Sequence, residues 1–180
     1  MRAVIVYESM FGSTRAIAEA IADGLSPSEV RVVRAADADA VVLEGVDLLV
    51  VGGPTHAHSM SRPSTRKNTP NYVNKPGSEI ALESGADTAR GVREWLGSLE
   101  HLEVSAAAFD TRFNGPAAFT GRASRAIARK LSGLGFVLVV PPESFLVDKK
   151  GHLVAGETDR ARAWGARLAG ISANLTASSR

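Results

Sequence analysis

The sequence predicts an α/β fold built on an open, doubly wound parallel sheet, and three observations carry that expectation. Five apolar, β-branched runs recur along the chain, helix-period stripes stand between them, and the runs lack strict polar alternation. A strand that is apolar at successive positions is covered on both faces, as in a parallel sheet packed between helices.

The runs are residues 3–7, 30–33, 46–51, 104–109 and 136–140. Ile17, Ile21 and Leu25 recur four apart behind Ser13 and Thr14, which suit a helix start. Val92, Trp95, Leu96 and Leu99 form a second stripe, and Ala123, Ile127 and Leu131 a third. Trp164, Leu168, Ile171 and Leu175 form a last one, on a helix expected to begin after Gly156. Trp95 and Trp164 lie on these stripes and read as core residues. Residues 35–45 are rich in alanine and aspartate and allow only a short helix. Five alternations of strand and helix give the doubly wound sheet. No internal repeat or linker appears, so a single domain over residues 1–180 is expected. Residues 56–85, with Pro63, Pro70 and Pro76, form the longest irregular stretch, a length typical of functional or disordered loops. Pro141-Pro142 is expected to end the fifth strand, and residues 145–154 read as a small hairpin or strand extension.

At 180 residues and 44% hydrophobic content, the chain has material for one substantial core. The formal charge is +2, and Lys and Arg are spread along the chain. That is an ordinary solvated surface rather than a nucleic-acid footprint. No cysteine is present, which excludes disulfides, thiolate metal sites, iron-sulfur clusters and a cysteine nucleophile. Any redox chemistry must be borrowed from a cofactor. No signal-peptide pattern opens the chain and no run approaches a membrane span, so a cytoplasmic location is expected.

The informative place is the end of the first strand, where Ser9-Met10-Phe11-Gly12-Ser13-Thr14 leads into a helix. A strand turning into a helix points backbone N–H groups outward, and the helix dipole adds to their attraction for an anion. Hydroxyls at Ser9, Ser13 and Thr14 are further donors to phosphate oxygens, and Gly12 lets the backbone come close. A Walker loop requires a lysine that is missing here, and a dinucleotide fingerprint requires more glycines. A receiver module requires an aspartate at the end of the third strand, which instead runs into Gly52-Gly53-Pro54-Thr55.

Residues 9–14 resemble the Ser/Thr-x-x-Gly-x-Thr phosphate loop of flavodoxins. Gly52-Gly53-Pro54-Thr55-His56 is similar to the Gly-x-Pro-Thr/Tyr segment beside the flavin in that family, and Asp110-Thr111-Arg112-Phe113 stands where its third flavin loop stands. The resemblance, to flavodoxin-like proteins of short-chain type, covers nearly the whole chain and is weakest over residues 62–84. It implies a three-layer sandwich with a five-stranded parallel sheet of order 2-1-3-4-5. It implies FMN as cofactor, with Ser9, Met10, Phe11, Gly12, Ser13 and Thr14 around its phosphate. Pro54, Thr55, His56 and Ala57 would flank the ring on one side and Asp110, Thr111 and Arg112 on the other. In a sheet of this order the two motifs meet at the topological switch point, where ligands bind.

Three departures from the family shape the expectation. The stacking aromatics are open between His56 or His58 and Phe113 or Phe119. Residues with a Cβ follow Pro54 where carriers have glycine, which makes a left-handed turn costlier and predicts weak stabilisation of one-electron-reduced flavin. The near-neutral charge is unlike acidic carriers. The loop over residues 59–84, with Arg62, Arg66, Lys67 and Lys75, is expected either to rise beside the flavin and cover a substrate or to be a disordered insertion. Arg112 is a candidate to offset charge on reduced flavin. Three functions stay open: an FMN oxidoreductase reducing a small acceptor such as a quinone with a nicotinamide donor, an electron carrier between redox protein partners, and a non-redox module that has lost FMN. The oligomeric state is open as well.

Overall fold

In the computed structural model, which describes residues 1–69, 81–86 and 88–178, the chain alternates strand and helix as expected. The strands are β1 (Arg2–Tyr7), β2 (Glu29–Arg34), β3 (Leu48–His56), β4 (Ser59–Met60), β5 (Ser105–Phe113), β6 (Val137–Leu138) and β7 (Glu143–Val147). The helices are α1 (Ser13–Gly24), α2 (Pro63–Lys67), α3 (Val92–Gly97), α4 (Ala117–Thr120), α5 (Ala123–Gly133) and α6 (Glu157–Ser178), with a 3-10 turn at Ala40–Leu43. β2, β1, β3 and β5 lie side by side in parallel, and both β6 and β7 pair with β5 in parallel. Taking β6 and β7 as one interrupted edge strand, this is the order 2-1-3-4-5.

Alternation along β1 assigns its residues to two apolar layers. Ala3, Ile5 and Tyr7 pack with Ile17 and Ile21 of α1, Trp164 and Leu168 of α6, and Phe109 and Phe145. Val4 and Val6 pack with Val42, Trp95 and Leu96 of α3, and Ile127 and Leu131 of α5. Phe109, Phe145 and Trp164 meet edge to face, with ring centroids 6.1–6.4 Å apart, the geometry that aromatic quadrupoles favour. Both tryptophans are buried, as the helical stripes predict. Among the described residues no helix is long and apolar enough to cross a membrane.

Several parts of the chain refine the sequence expectation. Pro141-Pro142 interrupts the edge strand rather than ending it. The prolines bring no N–H to a ladder, and β7 resumes beside β5 with Phe109↔Glu143 through Phe113↔Val147 in register. Residues 145–154, expected as a small hairpin or strand extension, supply both: β7 continues the edge strand through Val147, and an antiparallel bridge joins Val147 to Leu153, flanked by hydrogen bonds from the Asp148 N–H to the His152 carbonyl and from the Val154 N–H to the Leu146 carbonyl. β3 and β5 are longer than their apolar runs, because β4 pairs with Thr55 and His56 and β7 supports Asp110, Thr111 and Arg112. The segments expected to be loops at Pro54-Thr55-His56 and Asp110-Thr111-Arg112 are therefore strand ends. Residues 59–69 are likewise ordered into β4 and α2. The parts of that stretch containing Pro70, Lys75 and Pro76 lie outside the described residues.

Candidate functional site

The carboxyl ends of β1, β3 and β5 stand next to one another, with Tyr7↔Gly52, Gly53↔Asp110 and Pro54↔Thr111 in register. This register brings residues 9–14, 54–57 and 110–112 to one edge of the sheet.

Helix α1 begins there without a cap. Its N-cap is Gly12 at φ 90°, no side chain caps the helix, and no acidic residue stands in its first turn. A positive φ of this size suits glycine. The first-turn N–H groups and the dipole are thus left for an anion. Of the three hydroxyls, Ser9 Oγ accepts the Gly12 N–H at 3.1 Å, which leaves its own proton free to donate outward. Ser13 Oγ donates to the Gly151 carbonyl at 2.6 Å, so its proton is committed within the protein. Thr14 Oγ1 and Thr111 Oγ1 share one hydrogen bond at 2.7 Å, which leaves one of the two protons free and ties the phosphate loop to β5. Residues 9–14 therefore fit an oxyanion through two hydroxyl donors and the helix amides, one hydroxyl fewer than the sequence suggests. Met10 is buried, its carbonyl accepting the Glu83 N–H at 2.8 Å, and Phe11 is half-buried.

The second segment turns sharply. β3 and β4 are joined by Ala57 and His58, both with positive φ (44° and 71°), the signature of a two-residue primed hairpin. Here both residues carry a Cβ and are held by the Thr55↔Met60 pairing and a bridge from His58 to Gly121. Pro54, Thr55 and His56 are half-buried, and Ala57 and His58 are exposed. Thr55 Oγ1 accepts the Ala123 N–H at 3.0 Å, holding the start of α5. Burial and the nearby Arg66 charge hold the His56 pKa below its ordinary value, so its imidazole is neutral at pH 7.

On the third segment Asp110 is 0% exposed. Its Oδ2 accepts the Ser124 N–H at 2.7 Å, also at the start of α5, and Oδ1 is buried without a partner. Burial raises its pKa above 3.8, against the lowering effect of the Ser124 amide. A carboxyl with a raised folded pKa contributes stability that is present below pH 3.8 and lost as pH rises through the folded value. Asp110→Asn, which keeps an acceptor for Ser124, is expected to gain on the wild type as pH rises from about 4. Urea midpoints from pH 4 to 8 check this, and a difference between the two proteins that does not change with pH refutes it. Arg112 Nη1 donates to the carbonyls of Phe113 and Gly115 and to Thr120 Oγ1, clamping the loop before α4, while its Nε is buried without a partner. Phe113 at the end of β5 and Phe119 in α4 are 53% and 78% exposed.

One cluster at this edge escaped sequence reasoning. Glu8, next to Ser9, is buried; its Oε1 accepts from the Ser61 hydroxyl and its Oε2 from the Val92 N–H at 2.8 Å. Arg66, placed by sequence in a polar loop expected either to cover a substrate or to be a disordered insertion, is 3% exposed. Its Nη1 donates to Ser61 Oγ at 2.8 Å and its Nη2 to Glu94 Oε2 at 2.9 Å. It pins α2 against α3 beneath the phosphate loop. Burial raises the Glu8 pKa, and Ser61, Val92 and Arg66 oppose the rise.

Comparison with known proteins agrees with this fold. Residues 4–75 match the family model described as Flavodoxin domain. Similar solved structures include a flavodoxin from the domain Archaea, at 20% identity over 96% of this chain and 99% of that one, with a TM-score of 0.64. Flavodoxin 1 from Bacillus cereus is similar at 18% identity over 94% and 98% of the two chains, with a TM-score of 0.64. A WrbA-like flavodoxin from Agrobacterium tumefaciens is similar at 16% identity over 96% and 98%, with a TM-score of 0.58. No curated protein matches by sequence.

Proposed function

We propose that this chain, which has the flavodoxin-like fold over nearly its whole length, binds FMN at the carboxyl edge of its sheet and is an oxidoreductase passing electrons to a small acceptor such as a quinone. The observation that carries the reading is the start of α1, an uncapped helix N-terminus entered through Gly12 at φ 90° with no acid in its first turn. Flavin, when bound, supplies the hydride and electron chemistry. The chain binds, orients and tunes it.

In this reading the α1 amides, Ser9 Oγ and the Thr14–Thr111 hydroxyl pair hold the phosphate, with Met10, Phe11 and Ser13 shaping the loop. Pro54, His56 and Ala57 flank the ring on one side and Thr111 and Arg112 on the other. Thr55 and Asp110 act at one remove, by fixing the start of α5 through Ala123 and Ser124. His56 offers a neutral imidazole with one N–H and one lone pair. The formal charge of +2 favours a small acceptor over the basic docking faces that acidic carriers suit. A carrier is the second reading, and the exposed Phe113 and Phe119 at the rim favour it.

An absorbance spectrum from about 300 to 600 nm, the flavin window, taken before and after incubation with excess FMN, tests the cofactor. Failure to take up FMN overturns the reading. Ser9→Ala is expected to weaken FMN about 10- to 100-fold, the worth of one charge-assisted hydrogen bond, and to leave riboflavin, which has no phosphate, unchanged. Ser13→Ala, whose proton goes to Gly151, is expected to do less. Rapid reduction of the FMN-loaded protein by NADH or NADPH in stopped flow marks the enzyme, whereas reduction only after a reductase is added marks the carrier.

A further inference from the structure

Acidic residues are distributed unevenly along this chain. No Asp or Glu occurs between Asp47 and Glu79 or between Asp110 and Glu143, whereas Lys and Arg continue through both stretches. The fold lays these two stretches together. Thr55 Oγ1 accepts the Ala123 N–H at 3.0 Å, and His58 bridges to Gly121, so the β3–β4 hairpin and the start of α5 share one corner at the carboxyl edge of the sheet.

At this corner α5 buries Ile127, Ala128 and Leu131 against the sheet, while Arg125 and Arg129 are exposed and Arg122, its N-cap, is half-buried. Spacings of three and four residues stack the three arginines along one side of the helix. The helix gains nothing from them there. Its first turn holds no acidic residue, and cations at the positive end of a helix dipole, like equal charges four residues apart, lower helix stability. Among the described residues no carboxylate pairs with Arg122, Arg125 or Arg129. Glu94 on neighbouring α3 is engaged by Arg66 and by the Gly91 N–H. Apolar surface adjoins the stripe. Phe113 and Phe119 are 53% and 78% exposed, and Arg112 fixes the loop between them through the Gly115 carbonyl and Thr120 Oγ1. Exposed aromatic rings beside arginines have the composition of a protein interface.

We infer that this face docks a protein partner through an acidic surface of that partner, with Phe113 and Phe119 entering the contact and Arg122, Arg125 and Arg129 meeting carboxylates. Charge complementarity selects the partner. The surface is independent of the proposed FMN site, although Phe113 directly follows Thr111 and Arg112 on β5, which sets a docked protein at the rim of the flavin crevice.

Calorimetric titration tests this with three probes: a plant-type [2Fe–2S] ferredoxin as a small acidic protein, cytochrome c as a small basic one, and a thymidine oligonucleotide of about 16 nucleotides. Ferredoxin is expected to bind at an ionic strength of about 0.01 M and more weakly at about 0.15 M. The double variant Arg125→Gln/Arg129→Gln is expected to weaken it about 3- to 10-fold, and Phe119→Ala by a similar factor. Arg31→Gln/Arg167→Gln removes the same charge from exposed positions on β2 and α6, on the far edge and the other face of the sheet, and should leave binding unchanged. A purely structural role for the α5 arginines predicts a lower melting temperature for their double variant; a docking role predicts one no lower than the wild type. The inference is overturned if ferredoxin does not bind, if the two double variants bind it equally, or if cytochrome c binds as tightly. Tighter binding of the oligonucleotide with the same dependence on Arg125 and Arg129 also overturns it, in favour of a nucleic-acid surface. Should the protein take up no FMN, the cofactor reading fails by itself, and the ferredoxin titration of the protein as isolated still decides this one.

Discussion

Arg66→Ala is expected to destabilise the protein by about 3–5 kcal/mol, the cost of leaving a buried partner without its counter-charge. The reason lies in what remains. Glu8 sits 4.0 Å from Arg66 Nη1 and Glu94 hydrogen-bonds Nη2 at 2.9 Å. Removing the guanidinium leaves two carboxylates facing the same space, one of them buried. The buried one has an escape, which is to take up a proton. Arg66 lowers the Glu8 pKa against the larger raising effect of burial, so in Arg66→Ala the folded pKa rises further. A higher folded pKa means stability lost as pH rises through it, and the penalty should therefore be smallest at acid pH, where Glu8 is protonated, and grow as pH rises. Neighbouring Lys67, exposed on the same helix, is the control, expected to change stability by less than about 0.5 kcal/mol on truncation. Urea unfolding of both variants at several pH values decides it. A loss for Arg66→Ala no larger than that of Lys67→Ala, or one flat across pH, contradicts the network as described.

That network was invisible in the sequence for a physical reason. Its members stand at positions 8, 61, 66 and 94, far apart along the chain, and three of them are single charges whose partners no local pattern reveals. Burial of a charge is decided by what the fold lays over it, here α2 and α3; the stripe of α3 reports its apolar face and not the charge beside it, and α2 has no stripe at all. Apolar runs, by contrast, report their own burial, which is why β1, α1, α5 and the two tryptophans were legible; β2 was legible as a strand, although none of its residues is buried. The ends of β3 and β5 were less so. Thr55 and Arg112 extend strands because β4 and β7 offer them partners, and Pro54 and Asp110 because β3 and β5 still pair with each other there; pairing of that kind is a tertiary fact. In the site, Ser9 through Thr14 were legible as an anion loop from residue type and position. The direction of each hydroxyl proton was not, since the partners Gly151 and Thr111 lie far along the chain.

A pair of substitutions on one helix tests how α1, and with it the phosphate loop, is held. Gly165 and Gly170 are both in α6, and helix propensity alone makes alanine better than glycine by about 1 kcal/mol at either. Their surroundings oppose each other. A Cβ at Gly170 meets nothing within 4 Å, so Gly170→Ala should show the gain, about 0.5–1 kcal/mol. At Gly165 the Cβ would overlap the Ile21 carbonyl oxygen and stand 3.1 Å from its carbon and 3.2 Å from Gly24 Cα. Those atoms are backbone of α1 and cannot rotate away. Gly24 is closed in the same manner, because a Cβ there would overlap the Arg162 carbonyl oxygen. The two helices thus touch backbone to backbone, and a methyl between them must push one off the sheet. Overpacking costs about 1–3 kcal/mol, which exceeds the propensity gain, so Gly165→Ala should be destabilised while Gly170→Ala is stabilised. The contact falls on the last turns of α1, and a displacement carried along the helix should move Gly12, Ser13 and Thr14 relative to Thr111 and weaken FMN more than riboflavin. Equal unfolding midpoints for the two variants would show that the α1–α6 contact is looser than these distances state, and that the phosphate loop is positioned by the sheet alone.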